Sequence, residues 1–134
     1  MIEAVDLCGA GIDLEKVKGT ARAVMGGEKK EGDISIALVS KKRMKQINYQ
    51  YRGKDEATDV LSFSLGNTEE GIMGQIIVCP EVIKEREGEQ EVLREVGRRV
   101  AHGLLHILGY NHNSEGARQK MEKKEADYLR KVTF

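Results

Sequence analysis

Apolar and polar residues alternate in four short segments of the chain, a period of two that is typical of β-strands with one buried face. The clearest segment is 33–39, in which Ile34, Ile36 and Leu38 share one side of the chain. Successive side chains of a strand point to opposite faces, so these three should face the core. The predicted strands are residues 2–7, 33–39, 60–64 and 72–78.

Elsewhere apolar residues recur every three or four positions, which predicts amphipathic helices. Asp13 and Ser40 stand where the first two helices should begin, and each can accept a hydrogen bond from a free N–H of the first turn. The pair Gly26 and Gly27 should end the first helix. The predicted helices are one after Asp13, one over 41–51, a short turn from 81, a long helix over about 89–108 and a last one over about 114–131.

This order of elements predicts an α+β fold in which a small four-stranded sheet packs with about five helices. A chain of 134 residues fits one ordinary domain, and it can bury roughly two-thirds of the surface that the unfolded chain exposes. No internal repeat, low-complexity tract or linker divides the sequence. We therefore expect residues 1–134 to form a single domain.

Basic and acidic residues are equal in number, 22 of each, so no overall field attracts the protein to polyanions or anionic membranes. Nucleic-acid binding would have to come from local patches. The N-terminal residues do not resemble a leader peptide, and no apolar run approaches the ~18 residues of a membrane span. A cytoplasmic location is expected. Cys8 and Cys79 form no CxxC motif, so neither a disulfide framework nor a cysteine zinc site is indicated.

The chain has only three histidines, and all lie in one eleven-residue segment. His102 and His106 belong to the long predicted helix, on the side opposite its apolar stripe. Residues four positions apart on a helix have Cβ atoms about 6 Å apart, so the two imidazoles can reach one ion. The apolar stripe, which should face the core, comprises Leu93, Val96, Val100, Leu104 and Ile107.

The third histidine follows a predicted chain reversal. Gly109 can adopt the left-handed conformation that ends a helix, and Tyr110 and Asn111 can then turn His112 back toward the other two. Three neutral imidazoles with an open fourth position are typical of catalytic zinc, which lowers the pKa of a bound water to about 7. We predict one Zn²⁺ ion held by His102, His106 and His112, although a lone HxxxH pair would more often be an ordinary surface feature.

The spacing of His102, His106, Gly109 and His112 matches the HExxHxxGxxH motif of the metzincin proteases. The match fails at Gly103, which stands where those proteases have the glutamate that acts as general base. Glycine has no side chain to take a proton. Peptide hydrolysis is therefore the weaker interpretation.

Residues 102–112, HGLLHILGYNH, are close to the signature H-G-x-L-H-x-x-G-Y-D-H of the YbeY family, the bacterial metalloendoribonucleases of ribosomal RNA maturation. Residues 48–63, NYQYRGKDEATDVLSF, resemble that family's other marked segment, and residues 74–80, GQIIVCP, match more weakly. The resemblance implies a mixed, mostly parallel sheet, one zinc ion and hydrolysis of single-stranded RNA rather than DNA. It also implies work on ribosomal RNA and ribosome quality control, with the small ribosomal subunit or its proteins as partners.

Arg52 is the residue that we expect to act beside the histidines. Zinc and a planar guanidinium fork could together hold a phosphodiester and stabilise the charge that develops on it. The resemblance places Arg52 at a matching position; without it, a surface arginine paired with Asp55 or Asp59 would be expected. Thr58, Asp59 and Ser62 also match, but capping and turn roles explain them equally well.

Three residues depart from the family pattern: Asn111 and Gln75 stand where Asp is usual, and Ser64 stands where Pro is usual. A carboxylate beside His112 could orient its imidazole, so Asn111 is expected to weaken metal binding or reduce the rate. One further alternative to an enzyme stays open. Zinc could merely stabilise the Gly109 turn of a ribosome-assembly protein that performs no chemistry.

Overall fold

A computed structural model, which describes residues 1–134, shows four strands in one sheet with five helices around it. The predicted α+β class is confirmed, with every predicted element present. No helix combines the length and the apolar character needed to cross a membrane. The elements in chain order are β1 (Ile2–Asp6), α1 (Leu14–Gly27), β2 (Gly32–Leu38), α2 (Lys41–Arg52), β3 (Val60–Thr68), β4 (Gly71–Val78), α3 (Pro80–Glu87), α4 (Val92–Ile107) and α5 (Glu115–Leu129).

The sheet has the order β1-β2-β4-β3, in which β1, β2 and β4 are parallel and β3 runs antiparallel to β4. A short turn joins β3 to β4, and such a turn can only connect antiparallel neighbours. The mixed, mostly parallel sheet is therefore confirmed. Strand β3 runs to Thr68, past the predicted end, because its pairing with β4 resumes after an irregularity between Ser64 and Gly66.

Alternate residues of the sheet enter two separate cores. Ile36 and Ile76 are fully buried in the larger core, which also receives α1, α4 and α5. Ala37 and Ile77, on the opposite face, pack in a smaller core with residues of α2 and α3. The helices that carry the site therefore lie on one face, and α2 lies on the other.

The helical spacing of Met44, Ile47 and Tyr51 predicts that these three residues form the buried line of α2. Met44 and Ile47 are buried, but Tyr51 is 64% exposed, and Asn48 takes the interior position. The Asn48 amide donates to the carbonyl of Glu56 at 2.8 Å, which holds the polar loop after the helix. Because α2 ends one residue after Tyr51, that ring projects beyond the core.

Candidate metal centre

Helix α4 presents two histidines on the side that faces away from the main core. Val96, Val100 and Leu104 are fully buried along the predicted stripe, and this fixes the rotation of the helix. His102 and His106 are half-buried one turn apart, with ring centroids separated by 4.9 Å. Packing of the stripe thus positions both imidazoles side by side.

The turn after α4 brings His112 to the same place. Gly109 has φ +107°, and its N–H donates to the His106 carbonyl while the Tyr110 N–H donates to the Leu105 carbonyl, both at 3.0 Å. This pair of bonds is the Schellman motif, which satisfies the last carbonyls of a helix and reverses the chain. The His112 ring centroid lies 5.1 Å from that of His102 and 4.9 Å from that of His106.

The three imidazoles direct nitrogen atoms toward a common point. One nitrogen from each ring lies within 4.8 Å of the others, and the Nε2 atoms of His102 and His112 are 3.4 Å apart. Burial, aided by the neighbouring charges of His102 and His112, lowers the pKa of His106. A neutral imidazole keeps a lone pair for coordination. The cluster could therefore hold a metal ion, and because His112 is exposed, the site is open to solvent.

A carboxylate that the sequence did not single out lies behind His102. Glu125, on α5, has its Oε2 atom 3.1 Å from His102 Nδ1, and its side chain is 13% exposed. Its other oxygen lies 3.6 Å from the Arg98 guanidinium. Along α5 several acidic residues look alike, so only the docking of α5 on α4 identifies this one.

A half-buried acid, Glu28, also anchors the turn that carries His112. The hydroxyl of Tyr110 donates to Glu28 at 2.7 Å, and Glu28 also accepts from Tyr128 and, at 3.3 Å, from Lys124. Burial and the bond to Glu28 raise the pKa of Tyr110 to about 12, so this phenol remains a donor near neutral pH. The turn is thereby tied to the end of α1 and to α5, contacts that the sequence did not indicate.

Replacing Tyr110 with phenylalanine is expected to lower the free energy of unfolding by about 1–2 kcal/mol, since Glu28 then loses one donor. Zinc binding should weaken several-fold because the turn before His112 is less restrained. Denaturant unfolding and zinc titration measure the two effects. Tyr49→Phe is the matched control, as Tyr49 is exposed and its hydroxyl makes no hydrogen bond within the protein; equal behaviour of the two variants would contradict this role.

Gly103 lies between the two histidines in sequence but faces the sheet. A Cβ atom at this position would lie 3.3 Å from Ser62 Cβ and 3.5 Å from Ile76 Cγ2. Glycine therefore permits α4 to approach β3 and β4 closely. A side chain here would point into the sheet rather than toward the histidines, which gives a structural reason for the absence of a general base at this position.

Arg52 is the exposed last residue of α2, and it makes no ion pair with either acid considered from the sequence. Asp55 lies 3.8 Å from Lys45, and Asp59 accepts from Arg99 Nε at 2.9 Å. No hydrogen bond joins Arg52 to the histidines. Arg52 and the histidines are connected only indirectly. Tyr51, which precedes Arg52, packs on Phe63 of β3 with ring centroids 5.3 Å apart. Ser62, which precedes Phe63, lies against Gly103 of α4.

Asp59 and Arg99 form a half-buried pair between the start of β3 and α4. Burial alone would raise the pKa of Asp59, but the hydrogen bond and charge of Arg99, together with Arg86, lower it below its ordinary value. The carboxylate thus contributes stability that is complete above about pH 4 and is lost as pH falls through the lower, folded-state pKa.

An Asp59→Asn variant should accordingly be less stable than the wild type at pH 6, and the difference should shrink below about pH 4 as the wild-type carboxylate is protonated. Thermal unfolding at a series of pH values measures it. Asp55→Asn serves as the control because Asp55 is exposed. A stability difference that stays constant down to pH 2 would rule out this assignment.

Asn111 occupies a local turn and does not contact a histidine by hydrogen bonding. Its side-chain oxygen accepts from the Asn113 N–H at 2.9 Å, a bond that an aspartate could make as well. The expectation that Asn111 weakens metal binding stays a prediction, but the structure offers no direct route from this side chain to His112.

The chain is similar to known proteins in both sequence and fold. Residues 11–133 match the family described as Endoribonuclease YbeY. An Endoribonuclease YbeY of Thermotoga maritima is 36% identical over 122 residues, which are 89% of this chain and 80% of that protein. One from Pelotomaculum thermopropionicum is 33% identical over 140 residues, 98% of this chain and 91% of that protein. A solution structure of a Thermotoga maritima protein superposes with a TM-score of 0.71 at 31% identity, covering 98% of this chain and 89% of that one.

Proposed function

This chain belongs to the Endoribonuclease YbeY family, and we propose that it is a zinc-dependent endoribonuclease that cleaves single-stranded RNA during ribosomal RNA maturation and ribosome quality control. The resemblance drawn from the two longer motifs is thereby confirmed, and with it the predicted class of enzyme, a hydrolase that acts on RNA. The convergence of His102, His106 and His112 carries the proposal. We treat residues 1–134 as one domain, because both cores share a single sheet.

The donor set fits zinc. Zinc bound tetrahedrally by imidazoles at about 2.0–2.1 Å would separate two ligand nitrogens by roughly 3.3–3.4 Å. The separation between His102 Nε2 and His112 Nε2 is 3.4 Å. Three nitrogen donors and an open side are typical of a catalytic rather than a purely structural zinc site.

When bound, zinc supplies a Lewis acid that polarises a phosphoryl oxygen and lowers the pKa of a water molecule. The residues of the chain supply the rest of the site. Neutral imidazoles of His102, His106 and His112 would hold the ion without cancelling its charge, so a phosphodiester would be attracted to the exposed side of the cluster. The contact between Gly103 and β3 keeps a side-chain base out of this position, which disfavours the peptidase alternative.

Arg52 is the second group that we assign to the substrate. A guanidinium can donate two hydrogen bonds to one phosphate, and Arg52 is exposed and free of carboxylate partners. It ends the helix that packs on one side of β3, while His102 and His106 belong to the helix on the other side. An RNA strand that crosses this edge strand could contact both.

RNA binding should depend on local charge rather than on the protein as a whole. The formal net charge is zero, so affinity should be modest and should fall as salt increases. Aromatic residues make up only 4% of the chain, and few are free for base stacking. We therefore propose that the small ribosomal subunit or its proteins select the site of cleavage.

The experiment that tests this function incubates the purified protein with single-stranded RNA in the presence of a chelator and after zinc is added back. Cleavage that is lost with chelator and restored by zinc supports the proposal; cleavage that survives chelation contradicts it. Circular dichroism of the chelated protein tests the structural-zinc alternative, which requires unfolding. Mass spectrometry of the product ends, cyclic phosphate or monoester, identifies whether the RNA 2′-hydroxyl or water attacks.

A further inference from the structure

Glu125 makes one directed contact and one looser one, and the directed contact is to a candidate metal ligand. Its Oε2 lies 3.1 Å from His102 Nδ1, whereas its Oε1 lies 3.6 Å from the Arg98 guanidinium, outside hydrogen-bonding distance. The Glu125 side chain is 13% exposed, and Arg98 is 49% exposed. The partner that water can replace least easily is therefore the imidazole.

The position of Glu125 distinguishes it from a metal ligand. The residues whose donor atoms converge are His102, His106 and His112, and Glu125 is not among them. It approaches His102 from the opposite edge of the ring, at Nδ1, while Nε2 faces His112 at 3.4 Å. A carboxylate accepts only from a protonated Nδ1, so in a neutral His102 imidazole this contact leaves Nε2 with a free lone pair directed into the cluster.

We propose that Glu125 is a positioning residue that fixes the tautomer and the orientation of His102 for zinc. This inference rests on the metal site of the proposed function. Hydrogen-bonding partners behind a ligand imidazole hold its orientation and raise its basicity, and their loss costs roughly ten- to hundredfold in metal affinity. Glu125 reaches His102 because α5 packs on α4, with Met121 buried in the core that α4 also enters.

The same placement couples metal affinity to the docking of α5. Met121 and Leu129, one turn before and one turn after Glu125, are nearly inaccessible to solvent, so the carboxylate is held on a rigid element rather than on a loop. If Glu125 had only a structural role, it would stabilise the packing of α5 on α4 through Arg98. Its loss would then lower the free energy of unfolding without a specific effect on zinc affinity.

The test compares Glu125→Gln, Glu125→Ala and the control Glu122→Gln in zinc titrations against a chromophoric competitor. Glu122 lies on the same helix one turn earlier, is exposed and pairs with Arg118 at 2.8 Å, so its variant removes an equal charge. We expect a roughly ten- to hundredfold loss of zinc affinity for Glu125→Ala. The loss should be smaller for Glu125→Gln, whose amide oxygen can still accept from Nδ1, and absent for Glu122→Gln.

Two further measurements separate positioning from stability. Nitrogen-15 NMR of the metal-free protein should show His102 as the Nδ1–H tautomer in the wild type and a tautomer mixture in Glu125→Ala. Thermal unfolding of the metal-free variants should show that any loss of stability does not track the loss of affinity. The Glu125→Gln variant keeps the size of the side chain and guards against a failure of Glu125→Ala to fold.

Wild-type zinc affinity in both Glu125 variants would overturn the inference, as would an unchanged His102 tautomer. A wild-type protein that binds no zinc would instead contradict the proposed function itself. If the wild type binds zinc and cleaves RNA while the Glu125 variants behave like Glu122→Gln, only the proposed role of Glu125 is contradicted. The two failures can therefore be told apart.

Discussion

Replacing His106 with alanine is expected to abolish zinc-dependent RNA cleavage while leaving the fold intact. Two imidazoles would remain as ligands. Zinc affinity should therefore fall by more than the roughly ten- to hundredfold that is lost when a hydrogen-bonding partner behind a ligand is removed. Without the ion, the rate should drop on the order of a thousandfold or more, since several kcal/mol of transition-state stabilisation disappear. Cleavage of a fluorescent single-stranded RNA and zinc titration of the same preparation measure both quantities.

The fold should survive this change because the main core does not include the histidines. His106 is half-buried at the surface of α4, so its removal opens no internal cavity. Circular dichroism and thermal unfolding of the metal-free variant serve as the control. If the His106→Ala protein cleaved RNA at the wild-type rate, the activity would belong to another site or to a contaminating nuclease.

Replacing Arg52 with alanine is expected to reduce RNA cleavage about a hundredfold, as for the loss of one group that stabilises transition-state charge. Zinc affinity should not change, because Arg52 makes no contact with the histidines. Arg52→Lys should recover only part of the rate, since an ammonium cannot donate the paired bonds of a guanidinium. Steady-state cleavage, resolved into kcat and KM, and zinc titration measure these effects.

Arg43→Ala is the matched control for Arg52. Arg43 is exposed on the same helix, more than two turns before Arg52, and its side chain donates to Gln46 at 3.3 Å, so its variant also removes one positive charge. A general loss of RNA attraction would affect both variants alike and would appear mainly in KM. Full cleavage by Arg52→Ala would exclude Arg52 from the mechanism.

Strands were predicted from apolar residues at every second position and helices from apolar residues at every third or fourth position. Both spacings reflect local backbone geometry. Ile34, Ile36 and Leu38 alternate because successive strand residues face opposite sides, and all three are buried as predicted. Tyr51 is an exception to this pattern. Its spacing from Ile47 fits a buried helical line, but α2 ends one residue later, and the ring contacts only the partly buried Phe63 and stays 64% exposed. Periodicity describes a face of a helix, not what covers that face.

The side chains that hold the site in place, Glu28, Tyr110 and Glu125, could not be predicted from the spacing of residues in the sequence. Glu28 and Tyr110 are 82 residues apart, and Glu125 lies 23 residues beyond His102. In the sequence these acids resemble many others on polar helix faces. Their roles arise only when α1, α4 and α5 pack together, because a hydrogen bond of about 3 Å requires a backbone placed by the whole core.

The sequence by itself determined the candidate ligand set, since His102 and His106 are one helical turn apart and Gly109 ends the helix with a local turn. These are short-range properties of the backbone, governed by helix geometry and by the left-handed conformation that glycine adopts without cost. Only the tertiary structure decided that Gly103 faces β3 and that Glu125 faces His102. Such contacts join distant segments, and they depend on how buried apolar surfaces fit, which no local pattern encodes.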